Sequence, residues 1–435
     1  MLEVRLGIDP SETQKYTTTL LSIHGLLTVL VAPVVAHFAD KTPNRKVPLL
    51  MALTLCLVGT ILVAWTPSVW ALFLGRYLQA VGGSATWIVC FAILLDCTAA
   101  ENLGKITGIT MTFVTAGIIS GPTVAGVLLE LFGYWATWSV PMIILVLDII
   151  APLLMIQTRD LPSTSTKTDT PSPLNGDETI TDETTALLSD NTSPPPKPDA
   201  VDPVDRDTPS PRKGFHRIIL SDVRVLVGLS NTLLYSSIIS GFDSTLPLHL
   251  RDIFGWGSMA TGLTFFCLQL PSFFLAALSG MLRDRCGVRY PAAIGWGLMG
   301  PLLWLLGMPG DKSFPWAGAE AGGKTIFPCT LFVFGAVSML VRGSGSLQLN
   351  LVVKDMQSKD PLIFGPGGGN ARVHSILEMA FSTGMMLGPF LSGVLTEKVG
   401  YYYMTFTFGC ISLLLSALCF RFLDGKRARG ATSPA

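Results

Sequence analysis

Few side chains in this sequence could do chemistry, and most of them lie inside long apolar stretches. Glu378 falls within residues 373–398, Arg342 within 326–350, Asp243 within 218–247, and Arg76 and Gln79 within 69–95. An ionisable group in the middle of a membrane helix costs about 2.5–3.5 kcal/mol on insertion scales, so each needs a partner or a task. Glu378 is the first candidate for a carboxyl that takes up and releases a proton; its other reading is a structural partner to an Arg or Lys near the start of its helix. Arg342 is either a contact for a solute or a salt-bridge partner of Glu378, and it is both in turn if that pair opens on protonation. Asp243, just before Ser244-Thr245-Leu246-Pro247, is either an exposed helix-end carboxylate or a contact at an outer mouth. Arg76 and Gln79 are one turn apart, share a helix side, and could orient a solute or support a proton relay. Asp148 reads as a structural hydrogen-bonding group, and His24 and His374 as satisfied helix histidines.

Other chemistries find no support. The cysteines lie mostly in apolar stretches, at positions such as Cys56, Cys90, Cys267 and Cys410, without the paired spacing of a disulfide framework or a metal site. No Gly-x4-Gly-Lys-Ser/Thr loop occurs, so an ATP-driven process is not expected, and no nucleophile constellation marks an enzyme. No cofactor or metal is expected. The formal net charge is zero and no dense basic patch occurs, which argues against nucleic acid.

What must position these residues is a membrane bundle. Of 435 residues, 49% are hydrophobic and 14% charged, and a helix needs roughly 20 mostly apolar residues to cross a bilayer. Eleven such stretches are predicted: 17–38, 47–65, 69–95, 105–130, 135–157, 218–247, 258–282, 290–308, 326–350, 373–398 and 401–423. Lipid cannot satisfy backbone polar groups, so each must be a helix, and the fold class is all-α. The first sixteen residues carry no signal-peptide pattern.

Basic residues cluster after the first, seventh and last spans: Lys41, Arg45 and Lys46; Arg283, Arg285 and Arg289; Arg421, Lys426, Arg427 and Arg429. Positive charge marks the cytoplasmic side, so the C-terminus is expected there. Residues 158–215, rich in Ser, Thr, Pro and Asp, predict a disordered cytoplasmic linker between an N-terminal bundle (1–157) and a C-terminal bundle (216–435).

The two halves repeat each other. Ala36-His37-Phe38-Ala39-Asp40-Lys41, then Arg45, corresponds to Gly280-Met281-Leu282-Arg283-Asp284-Arg285-Cys286-Gly287-Val288-Arg289. Gly117-xxx-Gly121-Pro122-xxx-Gly126 recurs as Gly384-xxx-Gly388-Pro389-xxx-Gly393 with identical spacing. Small residues at such spacing let helices approach closely, and Asp with Arg or Lys could form a charge lock at the cytoplasmic ends. Glu378, six residues before Gly384, is expected on much the same helix side as the Gly-Pro segment.

These residues carry a resemblance to the major facilitator superfamily. The C-half loop fits the superfamily's Gly-x-x-x-Asp-Arg-x-Gly-x-Arg pattern in full. The N-half copy departs from it, with Ala36 for Gly and Lys41 for Arg. Gly108, Gly117, Gly121, Pro122 and Gly126 match the fifth-helix signature of proton-driven antiporters within the superfamily. Gly75-Arg76-Tyr77-Leu78-Gln79 resembles its fourth-helix Arg-x-x-Gln pattern. The segment Ser375–Pro389 resembles vesicular amine transporters, which carry an acidic residue at the place of Glu378. Those proteins also carry a carboxylate about one residue from Arg342; an arginine there weakens an amine assignment and admits anionic or neutral substrates.

The resemblance implies two pseudo-symmetric bundles, normally of six helices each, so this chain is expected to lack the first helix, with Gly7-Ile8-Asp9-Pro10-Ser11 as the loop that follows it. It also implies proton-coupled efflux of a small organic molecule by alternating access, with protons, substrate and lipid as partners. The protein is expected to be a monomer in the plasma membrane or in a vacuolar or vesicular membrane. A uniporter or proton symporter, or a non-transporting receptor, are the alternatives.

Overall fold

The structure, a computed structural model, describes residues 2–41, 45–97, 103–154, 215–318, 322–359 and 370–423. They are helical almost throughout, as the bilayer demands. In the N half lie α1 (Leu2–Leu6), α2 (Pro10–Lys41), α3 (Lys46–Trp65), α4 (Val69–Cys97), α5 (Leu103–Leu131) and α6 (Tyr134–Leu154). The C half holds α7 (Phe215–Leu220), α8 (Val223–Phe254), α9 (Ser258–Cys286), α10 (Arg289–Gly307), α11 (Lys324–Val341), α12 (Ser344–Lys359), α13 (Asn370–Val399) and α14 (Tyr401–Phe422). Among the described residues, nine helical stretches are long and apolar enough to cross a membrane, α11 and α12 counting as one. The expected spans 69–95 and 290–308 are helical too, as α4 and α10, but are not among the nine. The expected linker, 158–215, lies outside the described residues but for Phe215, which opens α7.

Three expected boundaries move. The sixth span does not run unbroken from 218: the Asp222 carboxylate accepts the Arg224 main-chain N–H at 2.8 Å and caps a fresh helix, separating α7 from α8. Pro247 does not end that helix, which continues to Phe254. The ninth span breaks at Arg342-Gly343, where Gly343 takes a φ of +78°.

The pairings of helices reveal the internal repeat. Within the N half α3 packs on α4, α2 on α4, and α3 on α6; within the C half α10 packs on α11, α9 on α11, and α10 on α14. The halves meet through α2 with α13 and α5 with α9, a pair of contacts that a two-fold relation exchanges. α8 adds pairings with α13, α12 and α14 and is mostly buried, whereas α5 and α6 bury little of themselves. The buried core accordingly concentrates in the C half, around Trp296, Phe327, Phe334, Leu303 and Met404.

α1 and α8 end in the same way. Gly7 (φ +63°) donates to the Glu3 carbonyl at 3.1 Å and Ile8 to Leu2 at 3.2 Å. Gly255 (φ +65°) donates to Arg251 at 3.0 Å and Trp256 to Leu250 at 3.3 Å. Both are helix stops that need a left-handed residue, for which glycine carries no Cβ penalty. Each is followed three residues on by the next helix, at Pro10 and at Ser258. α1 therefore holds in the N half the place that the last turn of α8 holds in the C half.

Candidate functional site

Contacts between the halves gather at the end of the bundle that carries the short connections 7–9, 132–133 and 255–257. Glu3 and Arg251 form an ion pair at 2.6 Å, and the Thr13 hydroxyl donates to the same carboxylate oxygen. The hydrogen bond from Arg251, with that from Thr13, holds the Glu3 carboxyl below the usual carboxylate range. Gln14 donates to the Ser244 carbonyl at 3.2 Å. The Glu130 carboxylate, at the end of α5, accepts the Met259 main-chain N–H at 2.8 Å and so caps the first turn of α9 from the other half. Glycines let the backbones touch: near this end a Cβ on Gly262 would stand 2.7 Å from the Pro122 carbonyl, and at mid-helix one on Gly25 would stand 2.6 Å from Met386 N.

The Gly-Pro copies behave differently in the two halves. Gly384 and Gly388 are pressed against Leu233, Ser236, Ser237 and Ser240 of α8, and Pro389 is buried with them. On α5, Gly126 touches Ser258 of α9, while Gly117 and Gly121 meet nothing within 4 Å. Among the described residues, then, close approach is seen at Gly384, Gly388, Gly393 and Gly126 and not at Gly117 and Gly121. Gly108 lies in α5, its surroundings outside the described residues.

The gating motif is only partly visible. Asp40, Lys41 and Asp284 lie at helix ends, with side chains outside the described residues. Among the described residues Gly280 has no neighbour within 4 Å. Gly287, at φ +80°, stops α9 with its N–H on the Arg283 carbonyl at 2.8 Å. Arg289 stacks over Phe420 at 4.7 Å, Arg285 is exposed, and Arg45 is half-buried.

Between these two ends sit the ionisable groups. Arg76 donates to Gln79 Oε1 at 3.3 Å, and Gln79 donates in turn to the Thr60 hydroxyl at 2.9 Å, which bears out their shared helix side. Asp243 is exposed although its neighbours Phe242, Ser244, Ser240 and Leu246 are buried. Its side chain is solvent-accessible where those neighbours are not. It is also no helix-end group, since at 1.5 Å per residue it lies about 16 Å from the end of α8. Glu378 is exposed, and at about 100° per residue it lies roughly 20° from Pro389, 60° from Gly393, 80° from Gly388 and 120° from Gly384 around α13. Among the described residues no ion pair joins Glu378 to Arg342, which lies at the helix break and not within a helix. Asp148 is exposed on α6.

His24 of α2, expected as a satisfied helix histidine, lies against the main chain and charge of Arg76, and among the described residues its buried Nδ1 has no hydrogen-bond partner. Nothing in the sequence spacing of Glu3, Arg251 and Glu130 shows that they meet partners across the halves. At the other end, Arg224 bridges Asp222 (2.8 Å) and Asp355 (3.4 Å). Burial raises the Asp222 carboxyl, but the bonds and charge of Arg224 together outweigh it and hold the carboxyl below its usual range.

Comparison with known proteins agrees with this architecture. The chain is 28% identical to an uncharacterised MFS-type transporter of Schizosaccharomyces pombe over 417 residues, covering 94% of this chain and 86% of that one. A shorter stretch, 25% of this chain and 27% of the relative, is 31% identical to the class H tetracycline resistance protein of Pasteurella multocida. The fold superposes on the crystal structure of a D-xylose-proton symporter with a TM-score of 0.67 and 11% identity, covering 97% of this chain and 92% of that chain. The Major Facilitator Superfamily pattern matches residues 2–358. With its paired bundles, its repeated motifs and this match, the chain belongs to the Major Facilitator Superfamily and is an integral, multi-pass membrane protein of the transporter class.

Proposed function

We propose that the protein is a proton-coupled antiporter that expels a small organic molecule by alternating access. The observation that carries this reading is the two-fold pair of contacts between the halves, α2 with α13 and α5 with α9, with polar ties between the halves at one end. Such an arrangement lets the halves rock about a central site, closed at one end and open at the other. The basic clusters assign the opposite end, with the 158–215 linker and the C-terminus, to the cytoplasm. Glu378 is the proton-coupling carboxyl, and Asp243, Arg342, Arg76 and Gln79 line the substrate path. The Gly-Pro segments support the antiporter form, and the partial likeness to a tetracycline resistance protein fits efflux. The protein works as a monomer, in the plasma membrane or a vacuolar or vesicular membrane.

We propose also that a further helix packs on α5 at Gly117 and Gly121, as α8 packs on α13 at Gly384 and Gly388. α1 would be its last turn.

The test is counterflow in proteoliposomes. An imposed proton gradient should drive uphill movement of solute in the wild type, and Glu378→Gln should abolish it. Uphill movement at the wild-type rate in that variant would remove Glu378 from the mechanism. Flux that survives collapse of the gradient would favour a uniporter, and solute moving with the protons a symporter.

A further inference from the structure

We infer that an anionic phospholipid binds on the outside of the bundle, where the α10–α14 seam begins at Arg289, with its phosphate on the Arg289 guanidinium. The inference goes beyond the transport reading and uses none of the residues placed in the substrate path. α10 and α14 run antiparallel. The Ser416 hydroxyl donates to the Ala293 carbonyl at 2.7 Å, and Gly300 and Gly307, further along α10, meet Leu413 and Tyr402, further back along α14. The start of α10 and the end of α14 therefore lie side by side. There the Arg289 guanidinium lies 4.7 Å over the Phe420 ring and 5.8 Å from the Tyr290 ring, and the two rings meet edge to face at 6.2 Å. Both rings are half open, Tyr290 at 49% and Phe420 at 53% exposure. Two rows of exposed apolar side chains lead away from them: Ile294 and Leu298 at four-residue steps on α10, and Leu413 and Phe406 at seven-residue steps on α14. At 1.5 Å per residue the first row reaches about 12 Å from Tyr290, most of the roughly 15 Å that is one leaflet's share of the hydrocarbon core.

Arg285 and Arg421, both exposed, flank this cluster. Among the described residues no carboxylate pairs with any of the three arginines. The Arg289 side chain makes no hydrogen bond among them, and its Nε is buried without an acceptor. Positive charge at this end would by itself only orient the chain, a task that lysines anywhere in the loop perform. Orientation does not call for a guanidinium laid on exposed rings at the head of an apolar track. The rings shield one face of the guanidinium from water, and its planar fork matches the paired oxygens of a phosphate. Aromatic rings settle at headgroup depth, and acyl chains would lie along the two rows beneath them. A zwitterionic headgroup brings an ammonium that three unpaired arginines repel, so the fitting headgroup has a net negative charge. In the orientation proposed above this end lies in the cytoplasmic leaflet, where such lipids concentrate.

The experiment is lipid titration of the purified full chain in detergent micelles, read by melting temperature and by native mass spectrometry of the retained lipid. Dioleoylphosphatidylglycerol is compared with dioleoylphosphatidylcholine, and glycerophosphate supplies the anion without acyl chains. Phosphatidylglycerol is expected to raise the melting temperature and to be retained over phosphatidylcholine, while glycerophosphate has no effect. Arg289→Gln should weaken the apparent affinity about tenfold. Arg289→Lys keeps the charge and Phe420→Leu keeps the apolar surface, yet each should lose affinity several-fold, because the stacked planar fork is gone. Gel filtration and the melting temperature without lipid show that the variants are folded. Equal retention of the two lipids overturns the inference, as does an affinity unchanged in Arg289→Gln. Full affinity in both Arg289→Lys and Phe420→Leu overturns it too, since diffuse charge attraction would then suffice. Stabilisation by glycerophosphate equal to that by the lipid would remove the bilayer as the source of the phosphate. No solute and no proton gradient is involved, so the outcome is read independently of the transport reading.

Discussion

Replacing Gly388 and Gly121 in turn by valine tests the packing directly, because the two are equivalent in sequence and opposite in surroundings. At 388, a Cβ would overlap the Ser237 carbonyl and the Ser240 hydroxyl and would stand 2.8 Å from Ser237 Cα. Non-bonded carbons rest at about 3.5–4.0 Å, so α8 and α13 would have to part by roughly 1 Å along their most intimate seam. Most of the obstructing atoms are backbone, which cannot turn aside. Overpacking of this kind costs about 1–3 kcal/mol. At about 2–4 °C per kcal/mol for a unit the size of the C half, Gly388→Val should melt several degrees lower. Gly121→Val meets nothing within 4 Å, and removing a mid-helix glycine slightly favours the helix, so its melting temperature should equal the wild type or exceed it. The assay is thermal unfolding in one detergent, followed by loss of the monodisperse peak. An equal fall in both variants would refute the reasoning, since α5 would then be packed at Gly121. If a version of the protein bearing an additional helix ahead of α1 is made, Gly121→Val should become destabilising in it alone.

Other consequences follow from the contacts. Glu3→Gln should loosen the Glu3–Arg251 tie, speeding thiol modification of a cysteine placed at Ser244, where an unchanged rate would remove the tie from the closure. Because the Glu3 carboxyl is held below its usual range, the tie is present above the unfolded carboxylate pKa and is lost as the pH falls through the folded one; the same modification rate should therefore rise only in acid, and not in Glu3→Gln. Trp296→Phe strips the buried Asn231 Oδ1 of its 2.6 Å donor, which should cost about 1–3 kcal/mol in denaturant unfolding. Arg224→Ala leaves Asp222 and Asp355 without their shared cation, and for such half-buried groups a loss of about 1–2 kcal/mol is expected in the same measurement.

By itself the sequence determined the helices, the repeat and the family. A bilayer offers the backbone no hydrogen-bond partners, so apolar length alone dictates helix in stretches such as 134–154 and 401–422. The 267-residue register of Gly117–Gly126 with Gly384–Gly393 is a one-dimensional fact. The adjacency of Arg76 and Gln79 was legible as well, because one helical turn is local geometry. The break at Arg342-Gly343 was not, since an apolar run reads the same whether or not a single residue adopts a positive φ. The depth of Asp243 was masked by a proline that the long helix absorbs. Only the tertiary structure decided which glycines touch backbone, that His24 lies by Arg76, and that Glu3 meets Arg251 and Glu130 meets Met259. Those contacts join residues more than a hundred positions apart or on different helices, and their geometry comes from how two bundles lean together, which no local spacing encodes.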